Sequence, residues 1–493
     1  MSLLATVYSL VLFSILAPNA GAMDFDWHGD FRAETNWLFG YSNGLTSPTA
    51  PPGYGNGYFV PSNGDSPASF QNLFLRLNPR AIVNDNITVY SELWFGSADR
   101  GMFGSDQPTS SYYYSTSTGN AAITAKTFYS ELATDFGTIT VGRAPLNWGL
   151  GLIYNNKGGA FDRLPSTGDT IRMVTKLGAF KFMPAMTKYR LGTNYGGSSA
   201  GPGTGITQGG WSGAADYTVG LTYDNPDEQI DLGVMFMRRL AGLNAAIMNP
   251  LAVDTLPGNT SSAGYQYNVW DFYAKKKSGI FTLAAEVPLI TGTIGSNTYS
   301  TVAGAVNLDA KVNDHWNVKL DIGSASGNAD LGAGSTPTQV TAFYFHPDYR
   351  PGFIMFNYNL ANLSDGSLSP YDNPVTNARF LAVNFDYNLG KWNHGMKWIY
   401  AIADKVADGV AGNLYYNSRD RGYKTEQAGV AAQSNGLGFE LDYLLAYQWD
   451  ESFRLGLNTG LFFPGQFYAF SNSATLNTLK TVFATSANFN VKF

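Results

Sequence analysis

From residue 23 the chain runs with a period of two. Asp24, Asp26, His28, Asp30, Arg32 and Glu34 fall on alternate positions, and Phe25, Trp27, Phe31, Ala33 and Trp37 fill the places between. Successive side chains of a strand point to opposite faces, so this pattern predicts a strand with one charged and one apolar face. The same grammar recurs at 86–98, across the hairpin 305–323, and at 379–389 and 438–449. No helical 3.6-residue period competes with it.

Two classes of connection separate these strands. Short turns are expected at 83–86, 134–137, 223–228, 276–279, 313–315, 388–392 and 449–452. Long segments rich in Gly, Ser, Thr, Asn and Pro are expected near 40–67, 99–120, 191–212, 241–263, 325–336, 361–376, 404–432 and 465–478. Alternating short and long connections are the pattern of a membrane β-barrel, with short periplasmic turns and long extracellular loops. Closure is required because hydrocarbon cannot hydrogen-bond a sheet edge. The fold class that follows is all-β: a single transmembrane antiparallel barrel of about 18 strands, range 16–20, over residues 23–493 in the bacterial outer membrane. Two hairpins limit the count, one turning near 177–181 and one at 345–360, where Pro347 and Pro351 suit a bend better than a ladder.

The chain ends as such a barrel should. FATSANFNVKF (483–493) alternates Phe483, Thr485, Ala487, Phe489, Val491 and Phe493 with Asn488, Asn490 and Lys492. A terminal aromatic on an amphipathic strand resembles the assembly signal of outer-membrane proteins, making Phe493 the candidate contact for the barrel-assembly machinery. Residues 1–22 read as a secretory signal, with an apolar core at 7–16 and small residues Ala20-Gly21-Ala22 before the cleavage site, although the first residues lack Lys and Arg.

Composition sharpens the class. Aromatic residues make up 15% of the chain, Gly contributes 55 residues and charged residues only 14%, against roughly 25% charged in soluble domains. No run of some 18 apolar residues follows the signal, so a spanning helix is excluded. The net charge of −6 gives no support to nucleic-acid binding. Residues 143–190 stand apart, with eight basic residues (Arg143, Lys157, Arg163, Arg172, Lys176, Lys181, Lys188, Arg190) and two acidic ones (Asp162, Asp169), while the whole chain has 31 and 37. Within that sector, residues from about 148 to 168 lose the strand alternation and become Gly-rich and aromatic, as either a constriction loop folded into the lumen or an outward loop touching only solvent would. A positive sector in a narrow passage concentrates anions. Arg143, Lys157, Arg163, Arg172 and Lys176 are therefore the selectivity candidates, together with Asp24, Asp26, His28, Asp30, Arg32 and Glu34 as pore-lining groups.

Catalytic chemistry has little to stand on. The four histidines are scattered and no HExxH or GxSxG occurs. His28 between Asp26 and Asp30 reads as part of a polar network in the lumen. No catalytic, cofactor or metal site is assigned.

VGRAPLNWGLG (141–151), the stretch 436–467 beginning GLGFELDYLL, and the terminal strand resemble the alginate-export type of outer-membrane porin. That resemblance implies an eighteen-stranded barrel with a basic lumen passing anionic solutes or polymers. It places Arg143 on the family's GR position. The expected function is diffusion of small hydrophilic solutes, anions among them, through a water-filled lumen. The competing expectation is a plugged barrel acting through its loops as a surface receptor or structural protein. The expected partners are outer-membrane lipid, the assembly machinery and the solutes, with a homo-oligomer compatible with the pattern.

Overall fold

The structure, a computed structural model, describes residues 24–40, 68–96, 123–157, 159, 162–189, 214–241, 265–294, 297–358, 371, 373–417, 422–472, 474, 476 and 479–493. The expected signal segment and the long connections 41–67, 97–122, 190–213 and 242–264 lie outside the described residues.

Eighteen strands form the wall. The first nine are β1 (Asp24–Phe39), β2 (Ala68–Asn84), β3 (Ile87–Gly96), β4 (Ile123–Thr134), β5 (Gly137–Pro145), β6 (Thr167–Leu177), β7 (Phe180–Tyr189), β8 (Ala214–Asn225) and β9 (Ile230–Ala241). The second nine are β10 (Tyr265–Ser278), β11 (Phe281–Ile294), β12 (Asn297–Lys311), β13 (Trp316–Ala325), β14 (Ala378–Leu389), β15 (Trp392–Ala403), β16 (Gly436–Gln448), β17 (Phe453–Pro464) and β18 (Val482–Lys492). Each wall strand pairs antiparallel with its sequence neighbours, and β18 returns to β1 in a register running from Asp30↔Lys492 to Phe39↔Phe483. The sheet is closed and has no free edge.

The period of two becomes inside and outside. Phe25 and Trp27 are 57% and 58% exposed, while Asp30, Arg32 and Glu34 are 3%, 1% and 5% exposed. Around the wall, Phe128, Ile171, Leu221, Trp270, Leu289 and Trp398 continue the outward apolar surface. No described helix is long and apolar enough to cross a membrane; the strands do so, and the protein is an outer-membrane barrel.

At one end every connection is short. β6 and β7 are joined through Gly178, whose φ of +62° suits a tight turn and only glycine carries at low cost. The turn near 177–181 is thus a true hairpin. The segment 345–360 is not: it belongs to one long connection from β13 to β14, whose described residues 339–358 enter the barrel. At the opposite end the connections are long, except that only residues 295 and 296 separate β11 from β12.

The seam is finished by the last residue. Gly29 and Phe493 exchange backbone hydrogen bonds of 2.8 and 3.0 Å. A Cβ on Gly29 would lie 2.6 Å from the Phe493 ring and 2.7 Å from the Arg76 carbonyl. The ring lies over the bare glycine and fills the gap in the apolar face between Trp27 and Phe31. Gly29→Val should therefore deplete the folded, heat-modifiable band on a semi-native gel, whereas Thr35→Val, on the same outward face, should leave it intact. An undiminished folded band for Gly29→Val would contradict this packing of the seam.

Candidate functional site

A wall of eighteen strands encloses more space than its own inward side chains fill. Two connections occupy part of it. The 146–166 segment joins β5 to β6, and residues 339–358 with Tyr371 belong to the connection from β13 to β14. Their apolar side chains, among them Leu146, Trp148, Leu152, Ile153, Phe343, Phe345, Ile354 and Tyr358, pack into one cluster within the barrel.

Such segments carry backbone groups into a dry interior, where an unmade hydrogen bond costs about 1–3 kcal/mol each. Each segment meets that cost in the same way. The N–H groups of Leu150, Gly151 and Leu152 all donate to the carboxylate of Glu286 on β11, the last two at 2.9 and 3.2 Å. Phe353, Ile354 and Met355 donate to Glu440 on β16 at 2.8, 2.7 and 2.6 Å. Both carboxylates are fully buried. Gly149 and Gly151 have φ of +52° and +91°, turning successive N–H groups inward, and a Cβ on Gly149 would sit 2.6 Å from a Glu286 oxygen. Trp148 wedges against the wall where β8 and β9 present Gly220 and Gly233.

Further contacts fix each segment across the lumen. Arg163 donates two hydrogen bonds to Glu34 at 2.6 and 2.7 Å, and its guanidinium lies 3.5 Å from the Tyr371 ring centroid. Both partners of this pair are 5% exposed, so removing one would strand the other at a cost of about 3–5 kcal/mol. Asp216 accepts from both arms of Arg239 at 2.6 Å and from the Tyr154 hydroxyl. Tyr371 holds the second segment to β1 and β2 by accepting from Asn36 and Asn72 at 3.2 and 2.9 Å. The segments also touch each other: His346 N–H donates to the Leu152 carbonyl at 2.8 Å, and Asp348 accepts the Leu164 N–H at 2.8 Å. Burial pushes the His346 imidazole down to about 4, so it is neutral at physiological pH and its Nδ1 accepts the Asp348 N–H at 3.1 Å.

The residues singled out from the sequence divide clearly. On β1 each inner carboxylate has found an arginine: Asp26 pairs with Arg80 at 2.9 Å, Asp30 with Arg76 at 2.5 Å, and Glu34 with Arg163. His28 is exposed and bonded to Asp26, Asp24 is exposed at the strand end, and Arg32 is buried over the Phe74 ring at 4.7 Å. Arg172 and Lys176 on β6 face the interior, and Lys157 is an exposed residue of the 146–166 segment. None of these three has a carboxylate within ion-pair distance among the described residues.

Arg143 departs from expectation. Its strand partner is Phe128, which is 60% exposed on the outer wall, and the register puts Arg143 on that same side, bound to Asp169 at 2.8 and 3.2 Å. Lys188 lies opposite Asp169 on that outward face. One-residue alternation from Thr140, which is buried inward, leaves position 143 no other face. Arg190 lies outside the described residues. Sequence reasoning passed over Arg76 and Arg80, although their spacing of four on β2 puts both on one face. It also passed over Lys126, which a register shift turns over the Trp94 ring at 4.7 Å.

At the short-turn end, a cavity of about 360 Å³ opens between the turns after β14 and β16, lined in part by Asn388, Lys391, Arg454 and Asn490.

No protein-family model matches the chain, and no curated protein matches it. The likeness to alginate-export porins therefore rests on its short stretches alone. Among solved structures, OccK2 (OpdF) of Pseudomonas aeruginosa aligns at 10% identity and a TM-score of 0.49, over 95% of this chain and 98% of that one. OccK1 (OpdK) of the same organism aligns at 10% identity and 0.45, over 95% and 98%. OmpT of Vibrio cholerae, an outer-membrane protein, aligns at 8% identity and 0.37, over 97% and 99%. OccK2 has been crystallised with glucuronate and OpdK with vanillate. These likenesses are distant.

The two carboxylates should act independently. Glu286→Ala strands three N–H groups and should speed hydrogen exchange at 149–153 by roughly 100-fold, the equivalent of about 3 kcal/mol, while leaving 353–357 protected. Glu440→Ala should do the reverse. Exchange mass spectrometry on the folded barrel reads both, and unchanged protection in either variant would contradict the anchoring role.

Proposed function

We propose that this barrel is a diffusion channel for small hydrophilic solutes, with anions preferred, whose passage is narrowed by the 146–166 segment and by residues 339–358. One observation carries the preference. Five of the carboxylates that hold the two segments (Glu34, Asp216, Glu286, Asp348 and Glu440) are taken up by guanidinium or N–H donors, whereas Arg172 and Lys176 face the interior, and Lys157 donates to the Leu150 carbonyl, with no carboxylate of the described residues at ion-pair distance. Positive charge that is not neutralised locally, in a narrow passage bounded by protein, raises the concentration of anions there.

The reaction is permeation, not catalysis. Arg163 acts as a brace for the constriction, and the β1 acids act through their arginines as wall structure. The alginate-export likeness extends the candidate solutes to anionic polymers, but segments pinned across the lumen at several walls favour small ones. In this reading Phe493 is the assembly signal, and residues 1–22 direct export.

A second reading has an observation in its favour: the two segments bury apolar side chains against each other, as a plug would. Planar-bilayer recording separates the two. The channel reading predicts stable open steps, a reversal potential favouring anions, and a shift of that potential towards cations in Lys157→Glu and Arg172→Glu. A folded barrel that passes no current would establish the plug instead.

A further inference from the structure

The connections from β13 to β14 and from β15 to β16 meet at the long-loop end of the barrel. Leu331 and Leu414 exchange backbone hydrogen bonds of 2.8 and 2.7 Å across them, and a small hairpin, Leu414–Asn417 with Gly422–Thr425, extends the contact. Beside this bridge three carboxylates converge. Asp330, Asp408 and Glu426 each present an oxygen, and these oxygens all lie within 4.8 Å of one another.

Two of the three are positioned by the chain. Asp330 Oδ2 accepts the Asp408 N–H at 2.8 Å, and the Asp408 oxygens accept the Val410 N–H and the Asn413 amide at 2.9 Å each. The third is different. Glu426 is 2% exposed, and neither of its carboxylate oxygens has a partner at full hydrogen-bond geometry, the Gly409 N–H being the amide directed towards it. No Lys or Arg among the described residues pairs with any of the three.

A buried carboxylate aimed at two others is strongly unfavourable unless something positive lies between them. Three oxygens within 4.8 Å of one another can all reach one Ca²⁺, because ligands on opposite sides of that ion are about 4.8 Å apart at its usual bond length and others are closer. The donor set contains only oxygen, with no His or Cys, which selects a hard divalent cation over zinc or copper. We propose that Asp330, Asp408 and Glu426 form a Ca²⁺ site that clamps the two extracellular connections together. The connection that carries Asp330 also carries residues 339–358 into the lumen, so the ion braces the outer root of that segment.

A proton is the competitor. Burial and the facing Asp408 charge push the Glu426 carboxyl up to about 7, so in the absence of an ion the two groups can share one.

The experiment uses the full-length barrel in detergent, stripped with EDTA and titrated with CaCl₂ by calorimetry, with thermal unfolding as a second readout. One saturable equivalent is expected, with Kd of roughly 0.1–1 mM, the range of extracellular calcium modules. Glu426→Gln and Asp408→Asn should each weaken binding by about tenfold or more, as expected when a charged ligand is lost, and abolish the rise in Tm that calcium gives the native chain. Glu451→Gln, at the other end of the barrel, should change neither. Heat-modifiability on gels shows that each variant is folded. Absence of saturable binding, or full binding by folded Glu426→Gln, overturns the proposal. So does a native Tm indifferent to calcium together with a calcium-free Glu426→Gln that melts higher, which would assign the shared proton instead.

Discussion

Everything in this molecule follows from the need to give each backbone N–H and C=O a partner where water is absent. In the bilayer that need closes the sheet, and β18 is drawn back onto β1. Eighteen strands then enclose an interior wider than their side chains fill. The chain occupies that space with two of its own connections, and the same need returns there at smaller scale. Irregular backbone inside the barrel has no ladder to join, so wall carboxylates serve as acceptors. Glu286 and Glu440 each take three consecutive N–H groups. A carboxylate suits this role because its two oxygens offer about four acceptor positions and its charge strengthens each bond.

That arrangement decides the charge of the lumen. An acidic chain gives an interior rich in carboxylates, yet many of them are consumed by structure. Asp26, Asp30 and Glu34 lie along one strand and each meets an arginine, two from β2 and one from the 146–166 segment. In the proposed channel, what is left to act on a solute is set by the groups that structure does not consume, Lys157, Arg172 and Lys176 among them. The net charge of the chain is thus a poor guide to the field in its passage.

Much of this was legible in the residues. Period two between Phe25 and Trp37, the polar turns, and the terminal aromatic are local signals, and each local preference agrees with the global fold. Pro347 and Pro351 marked 345–360 as unfit for a ladder. The loss of alternation from about 148 to 168 marked a segment that leaves the wall. Other features had no local signature. Arg143 sits in a basic sector, but its face is fixed by strand register against Phe128, which composition does not report. Glu286 and Glu440 look like any inward polar residue of a strand, and their role exists only once distant backbone arrives. The stretches 141–151 and 436–467 that carried the family likeness contain Trp148, Gly149, Gly151 and Glu440, so the signal was present, with its physical meaning supplied by the fold.

The central claim is that the 146–166 segment borders a water-filled path. The chain contains no cysteine, so a single one can be placed at will. We would measure the current through Lys157→Cys barrels in a planar bilayer before and after adding a membrane-impermeant, negatively charged thiol reagent. The account predicts that the reagent reaches the thiol, lowers the open-channel current and moves the reversal potential away from anions. Open channels whose current and selectivity are unchanged after complete labelling of the thiol, verified by mass, would contradict it.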